Sequence, residues 1–115
     1  MSDGQDLFFV LSRIEPDRRA DMGGLRAEHL QFVLAMRDRV QHGGVLAGPE
    51  GPEAISMVLS AASRDEAIEL VAADPYRSLY SSVEVSRFVQ RVPEAHEGEL
   101  REMLEEALGT DPEPR

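Results

Sequence analysis

Leu25-Arg26-Ala27-Glu28-His29-Leu30 opens a run, continuing to Gln41, in which apolar residues recur at helical spacing. With about 100° of rotation per residue, Met36, His29, Val40 and Val33 fall within roughly one 60° arc. The imidazole of His29 then stands in the middle of the apolar face, directed inward. Ala27, Glu28, Gln31, Asp38 and Arg39 make up the opposite face. A helix is therefore expected over residues 25–41. Gly43-Gly44 is expected to end it, because glycine accepts the left-handed conformation at a helix C-terminus.

Before this helix, Leu7-Phe8-Phe9-Val10-Leu11 is a short continuous apolar run, suited to a strand buried on both faces. Residues 13–24 are polar, hold Pro16 and Gly23-Gly24, and read as a loop. After the helix, Val45-Leu46-Ala47 is a short strand, Gly48-Pro49-Glu50-Gly51-Pro52 a turn cluster, and residues 54–60 a second strand. In that strand Ile55, Met57 and Leu59 share one side, so the two strands are expected to form a hairpin. Ser63-Arg64-Asp65-Glu66 matches a capping box and starts a second helix. That helix stops near Ala73, because Pro75 disfavours helical geometry at Asp74. Residues 76–82 are a connection with room for a helical turn. Residues 83–89 alternate as a strand, with Arg87 unexpectedly on the face of Val83, Val85 and Val89. A last helix is expected from Pro93, with Leu100, Met103, Leu104, Ala107 and Leu108 at helical spacing and packed on this chain or a second copy. Thr110 to Arg115 reads as frayed.

The order is βαββαβ plus a C-terminal helix, an α+β, ferredoxin-like arrangement with two helices on one face of an antiparallel sheet. The expected division is an α+β domain over residues 1–92 and an acidic helix and tail over residues 93–115. The bare sheet face calls for cover. In a chain this small a second copy of the same sheet supplies it most simply, so a homodimer through the sheet faces is expected.

Composition narrows the function classes. The 115 residues hold no cysteine, which excludes disulfides, thiolate catalysis and cysteine-based metal sites. His29, His42 and His96 lack metal-ligand spacing, so no metal is expected. The net charge of −10 argues against nucleic acid. Residues 94–115 carry eight acids and two bases, a net of −6, leaving −4 for the rest. Met1 to Asp6 has no basic region ahead of the apolar run, so no signal peptide is expected. No apolar stretch approaches the roughly 20 residues that span a bilayer, and a cytoplasmic protein without membrane partners is the default.

Taken in order, Leu25-Arg26-x-Glu28-His29-Leu30, Leu46-Ala47-Gly48-Pro49, a hydrophobic strand and Ala72-Ala73-Asp74-Pro75-Tyr76 resemble the YCII (YciI-like) family between about Leu7 and Arg91. The resemblance implies the dimeric α+β barrel, in which two ferredoxin-like sheets pack face to face. It also implies a His–Asp pair, here His29 and Asp74, lining a pocket. One activity known in that family is dehydrochlorination of a chlorinated hydroxyhydroquinone; relatives by fold include muconolactone isomerases and cofactor-free monooxygenases. The segment around Arg18-Arg19-Ala20-Asp21-Met22 and the helix after Pro93 depart from the pattern.

The chemistry of the residues themselves points the same way. A histidine takes and returns protons near neutral pH, and a carboxylate on one ring nitrogen would fix its tautomer. Set against this, a buried histidine can simply tie a helix to a loop, and an aspartate before proline often only forms a turn. Tyr76 is a candidate to orient an oxygen-bearing substrate or to plug the dimer interface. Arg87 is a candidate anion holder or inter-subunit ion pair, and Arg26 a residue at the pocket mouth or a surface ion pair. Gly48 and Pro49 are candidates to shape the loop beside the substrate. The leading expectation is a small cofactor-independent enzyme in which His29, oriented by Asp74, isomerises, eliminates from or cyclises a small aromatic or cyclic metabolite. The alternative is a non-catalytic module that binds a metabolite or another protein.

Overall fold

The computed structural model describes residues 5–92 and 97–109. Its elements run β1 (Asp6–Ile14), a 3-10 turn (Pro16–Asp21), α1 (Met22–Ala35), β2 (Val40–Gly48), β3 (Gly51–Ala61), α2 (Arg64–Ala72), a second 3-10 turn (Pro75–Leu79), β4 (Tyr80–Phe88) and α3 (Glu97–Gly109). The four strands form one antiparallel sheet in the order β2-β3-β1-β4. This is the α+β, ferredoxin-like arrangement expected from the element order.

Strand register sorts the side chains into two faces, since partners across an antiparallel ladder point the same way. Phe8 pairs with Leu59, and Val10 with Met57 and with Val85. These five, with Ala61, meet Met36, Ala67 and Val71 from the helical layer in one buried cluster. Fully burying each large member contributes about 1.5–3 kcal/mol. On the other face Leu7, Phe9, Leu11 and Phe88 stay half-buried, with the Phe9 and Phe88 rings 6.4 Å apart.

The largest departure from expectation lies after α1. The helix begins earlier than residue 25, because the turn from Pro16 leads straight into it and takes Gly23-Gly24 into its first turn. It ends at Ala35, not at the glycine pair. Residues 36–39 form a tight turn in which the Arg39 amide donates to the Met36 carbonyl at 2.8 Å. The Arg39 carbonyl then accepts from the Ser60 amide at 2.8 Å, and Val40 pairs with Leu59. Pairing with β3 thus overrides the helical periodicity of residues 36–41, and Gly43-Gly44 lies inside β2. At Gly43 a Cβ would stand 3.2 Å from the Ser56 carbonyl oxygen, so glycine suits the close approach of the two strands.

The hairpin turn is shorter than the five-residue cluster suggests. Residues 49–50 make it, and Gly51 takes φ +122°, a backbone region that L side chains rarely adopt. The capping box forms at α2. Ser63 Oγ accepts from the Glu66 amide at 3.1 Å, and the Glu66 carboxylate accepts from the Ala62 amide at 2.6 Å. Arg64, in the first turn of α2, donates from Nε to the Val85 carbonyl at 2.9 Å, on the edge strand β4.

Pro93 and Thr110 to Arg115 fall outside the described residues. The described part of the last helix, α3, leaves Met103, Leu104 and Leu108 exposed, so of the two covers expected for this stripe its own chain does not supply one. The radius of gyration is 18.0 Å, against about 13 Å for a compact chain of this length. Among the described residues no helix is long and apolar enough to cross a membrane.

Candidate active site

Pro75 creates the acidic half of the site. It blocks continuation of α2 and starts a 3-10 turn with Asp74 as its N-cap, where Asp74 Oδ1 accepts from the Tyr76 amide at 2.9 Å. The same oxygen lies 2.8 Å from His29 Nδ1. An ionised carboxylate only accepts, so Nδ1 carries the proton and donates. The second oxygen, Oδ2, accepts from the Tyr80 hydroxyl at 2.6 Å. His29, Asp74, Tyr76 and Tyr80 are all buried.

Tyr76 does more than cap. Its ring stacks on the imidazole at 4.0 Å between centroids and 10° between planes. Phe32, one helical turn along α1, sits 6.4 Å away at a tilt. The ring is thus held by a stack and by a hydrogen bond at Nδ1. Among the described residues Nε2 has no hydrogen-bond partner.

Electrostatics keep the carboxylate charged. Burial pushes Asp74 up, but hydrogen bonds from His29, Tyr80 and the Tyr76 amide together outweigh it and hold the group below the ordinary value of 3.8. The Tyr80 phenol is driven far up by burial and by its bond to Asp74, so it remains a neutral donor. Burial also raises Tyr76; Arg26 opposes that rise and the Asp74 charge adds to it.

Beside this network is a cavity of about 280 Å³ between α1 and the β2–β3 half of the sheet. His29, Leu30 and Val33 form the helical wall. Val40, Val45, Ile55 and Met57 form the sheet wall, with backbone exposed at Gly43-Gly44 where no side chain fills the space. Apart from Ser56, His29 is the one lining residue with a polar side chain. Among the described residues no group of three or more His, Asp and Glu side chains stands close enough to hold a metal ion.

The residues singled out from the sequence divide into two sets. His29, Asp74 and Tyr76 come together, and Arg26, three residues before His29, is exposed but near enough for its charge to act on the Tyr76 phenol. Arg87 does not join them. It pairs across from Phe8 while Tyr80 pairs across from Ile14, six residues or about 20 Å along the sheet. There its Nη2 lies 3.2 Å from Asp6 Oδ1, with the side chain 65% exposed. Gly48 ends β2 under the Glu53 side chain and Pro49 sits in the hairpin turn, neither on the cavity wall. Tyr80 was not anticipated. In a 3-10 turn residues three and six apart eclipse, which carries Tyr80 back over Asp74. That signal becomes readable only once the turn type is known.

No protein-family profile and no curated protein matches the chain. Solved structures do. The chain is similar to 5-chloro-2-hydroxyhydroquinone dehydrochlorinase (TftG) from Burkholderia phenoliruptrix, solved in complex with 2,5-dihydroxybenzoquinone. That match has a TM-score of 0.68 and 22% identity, covering 73% of this chain and 94% of that one. It is also similar to the C-terminal domain of the MgtC protein from Mycobacterium tuberculosis, with a TM-score of 0.50 and 13% identity over 82% of this chain and 99% of that one. At these identities the likeness establishes the ferredoxin-like fold.

Proposed function

We propose that the chain is a small acid–base enzyme whose His29 moves a proton on a compact, ring-shaped metabolite. The observation that carries this reading is the His29–Asp74 hydrogen bond of 2.8 Å at the wall of an apolar cavity. With Nδ1–H committed to Asp74, the lone pair of Nε2 is the basic atom offered to a ligand. Asp74 stabilises the imidazolium that forms when Nε2 takes a proton, and Tyr80 keeps Asp74 ionised from behind. The proton then returns to substrate or leaving group, which fits isomerisation, elimination or cyclisation. Positioned proton transfer of this kind is worth about 10²–10⁴-fold in rate.

Cavity size and lining support the ligand class. A volume of about 280 Å³ lies just below the roughly 300–1,000 Å³ typical of small-molecule pockets. That suits a single ring with few substituents. The apolar walls suit the ring faces, and the imidazole suits one ionisable hydroxyl at its edge. The chlorinated hydroxyhydroquinone named for the solved relative TftG is a substrate of this chemical class. Within this reading the domain acts as a homodimer through the sheet faces, because the half-buried stripe of Leu7, Phe9, Leu11 and Phe88 faces away from α1 and α2.

The test is turnover of chlorinated and unchlorinated hydroxyhydroquinones, followed by absorbance. His29→Ala is expected to lower the rate by about 10²-fold or more. His29→Asn, whose amide nitrogen stands near the Nδ1 position and can still donate to Asp74, is expected to fold like the wild type and be equally inactive. Retained turnover in either folded variant removes His29 from the mechanism. Binding of these compounds without any turnover favours a metabolite-binding module instead.

A further inference from the structure

We propose that α3 of one copy docks on the α1 rim of a second copy and closes that copy's cavity. This rests on the sheet-face dimer proposed above. The rim is an apolar strip: Leu30 and Val45 line the cavity, and Leu34 lies one helical turn beyond Leu30, with Leu34 59% exposed and Val45 58%. An arginine stands at each end of the α1 part of this strip. Arg26 precedes Leu30 by four residues, and Arg37 folds back so that its Nη1 donates to the Leu34 carbonyl at 2.8 Å. Both arginines are exposed, Arg26 within α1 and Arg37 in the turn that follows it.

α3 has the complementary surface. Leu100, Leu104 and Leu108 recur every fourth residue, so they form one stripe of about 12 Å. Leu104 is 59% exposed and Leu108 71%. The helix carries five glutamates and one arginine, a net of −4, so an acidic amphipathic helix meets an apolar strip bounded by cations. Opposite charges at the edge of such a contact set its register and suppress wrong partners.

The position of α3 favours a second copy over its own. Near its start, Glu99 shares a surface groove with Asp6, Arg87 and Arg91, on the β4 side of the sheet. The cavity opens at the β2 edge, three strand spacings or about 14 Å across the sheet. Two sheets packed face to face with β4 of one beside β2 of the other bring α3 of the first against α1 of the second. Each subunit then supplies the lid of its partner's site.

The absence of cysteine makes the test clean, since introduced thiols are the only ones present. Sedimentation of the wild-type chain establishes whether it is a dimer. The double variant Leu34→Cys/Leu104→Cys is then treated with a short bis-maleimide, beside each single variant. A covalent dimer as the main species of the double variant, with both single variants staying monomeric on a denaturing gel, is the expected result. If the wild type is a dimer and the double variant gives only an intrachain link, no link, or no more dimer than the single variants, α3 docking is overturned while the sheet-face dimer stands. A wild-type monomer overturns both.

Discussion

The two βαβ halves of the domain repeat one topology and spend it differently. In the second half, β3–α2–β4, packing is tight: α2 begins with a closed capping box and buries Ala67 and Val71 against Met57, Leu59 and Val85. In the first half, β1–α1–β2, the helix starts without a side-chain cap, its one buried residue is a histidine, and β2 is exposed along most of its length. The gap that opens there is the cavity. An apolar void forgoes contacts that a packed core would make, and a buried ionised group needs partners to be tolerated. The contrast is between a helix packed closely on the sheet and a helix that leaves a cavity beside it, with Asp74 and Tyr76 of the second half meeting the histidine of the first.

Stability measurements can break this contrast. Leu59 is fully buried in β3, and Leu59→Ala is expected to cost about 2–5 kcal/mol in urea unfolding. Val33, on the cavity wall and only half-buried, has fewer contacts to lose, so Val33→Ala is expected to cost less than half as much. Equal losses at the two positions would mean that the halves are packed alike.

A second effect, of intermediate size, isolates the polar network. Asp74 is held below its ordinary value of 3.8, so in the folded protein it stays charged to lower pH than in the unfolded chain. Its contribution is complete above 3.8 and is lost as pH falls through the lower folded value. Asp74→Asn is therefore expected to lower stability by about 1.5–3 kcal/mol at neutral pH, the range for hydrogen bonds to a charged group. The gap between variant and wild-type unfolding midpoints should narrow as pH drops below 3.8. Tyr80→Phe, which removes one of the three bonds to the carboxylate, should show a smaller gap with the same pH trend. A gap that does not change with pH would assign the loss to packing instead of charge.

Much of this was legible in the chain, and the failures have two causes. The apolar run at Phe8 and Val10, the capping box at Ser63 and the break at Pro75 depend on local chemistry, and each could be placed from sequence. The inward direction of His29 followed from helical spacing alone, although Val40, counted on the same helical face, belongs to β2. Its strand character comes from pairing with Leu59, nineteen residues away, which no local pattern carries. Arg87 shows the same limit: alternation placed it on the correct face, but strand register set it at the far end of the sheet from Asp74. Tyr80 needed the 3-10 geometry of the residues before it. Side chains on a helix or strand with a plain local pattern were readable; those set by strand register, or by a turn type the sequence does not declare, were not.

The smallest expected effect on stability is the sharpest test of what the open half is for. Val45 lines the cavity from β2 yet is 58% exposed. A larger side chain there has room to swing without straining the core, so Val45→Phe should change stability by no more than about 0.5 kcal/mol, as for most surface substitutions. The added ring enters the space where a ligand ring would lie. Affinity for a hydroxyhydroquinone, measured by calorimetry, should then fall steeply while the unfolding midpoint stays in place. A phenylalanine that leaves affinity unchanged would show that ligands approach His29 from another side. One that lowers the midpoint as much as a core substitution would show that β2 is packed in solution, and that the cavity is filled by the chain itself.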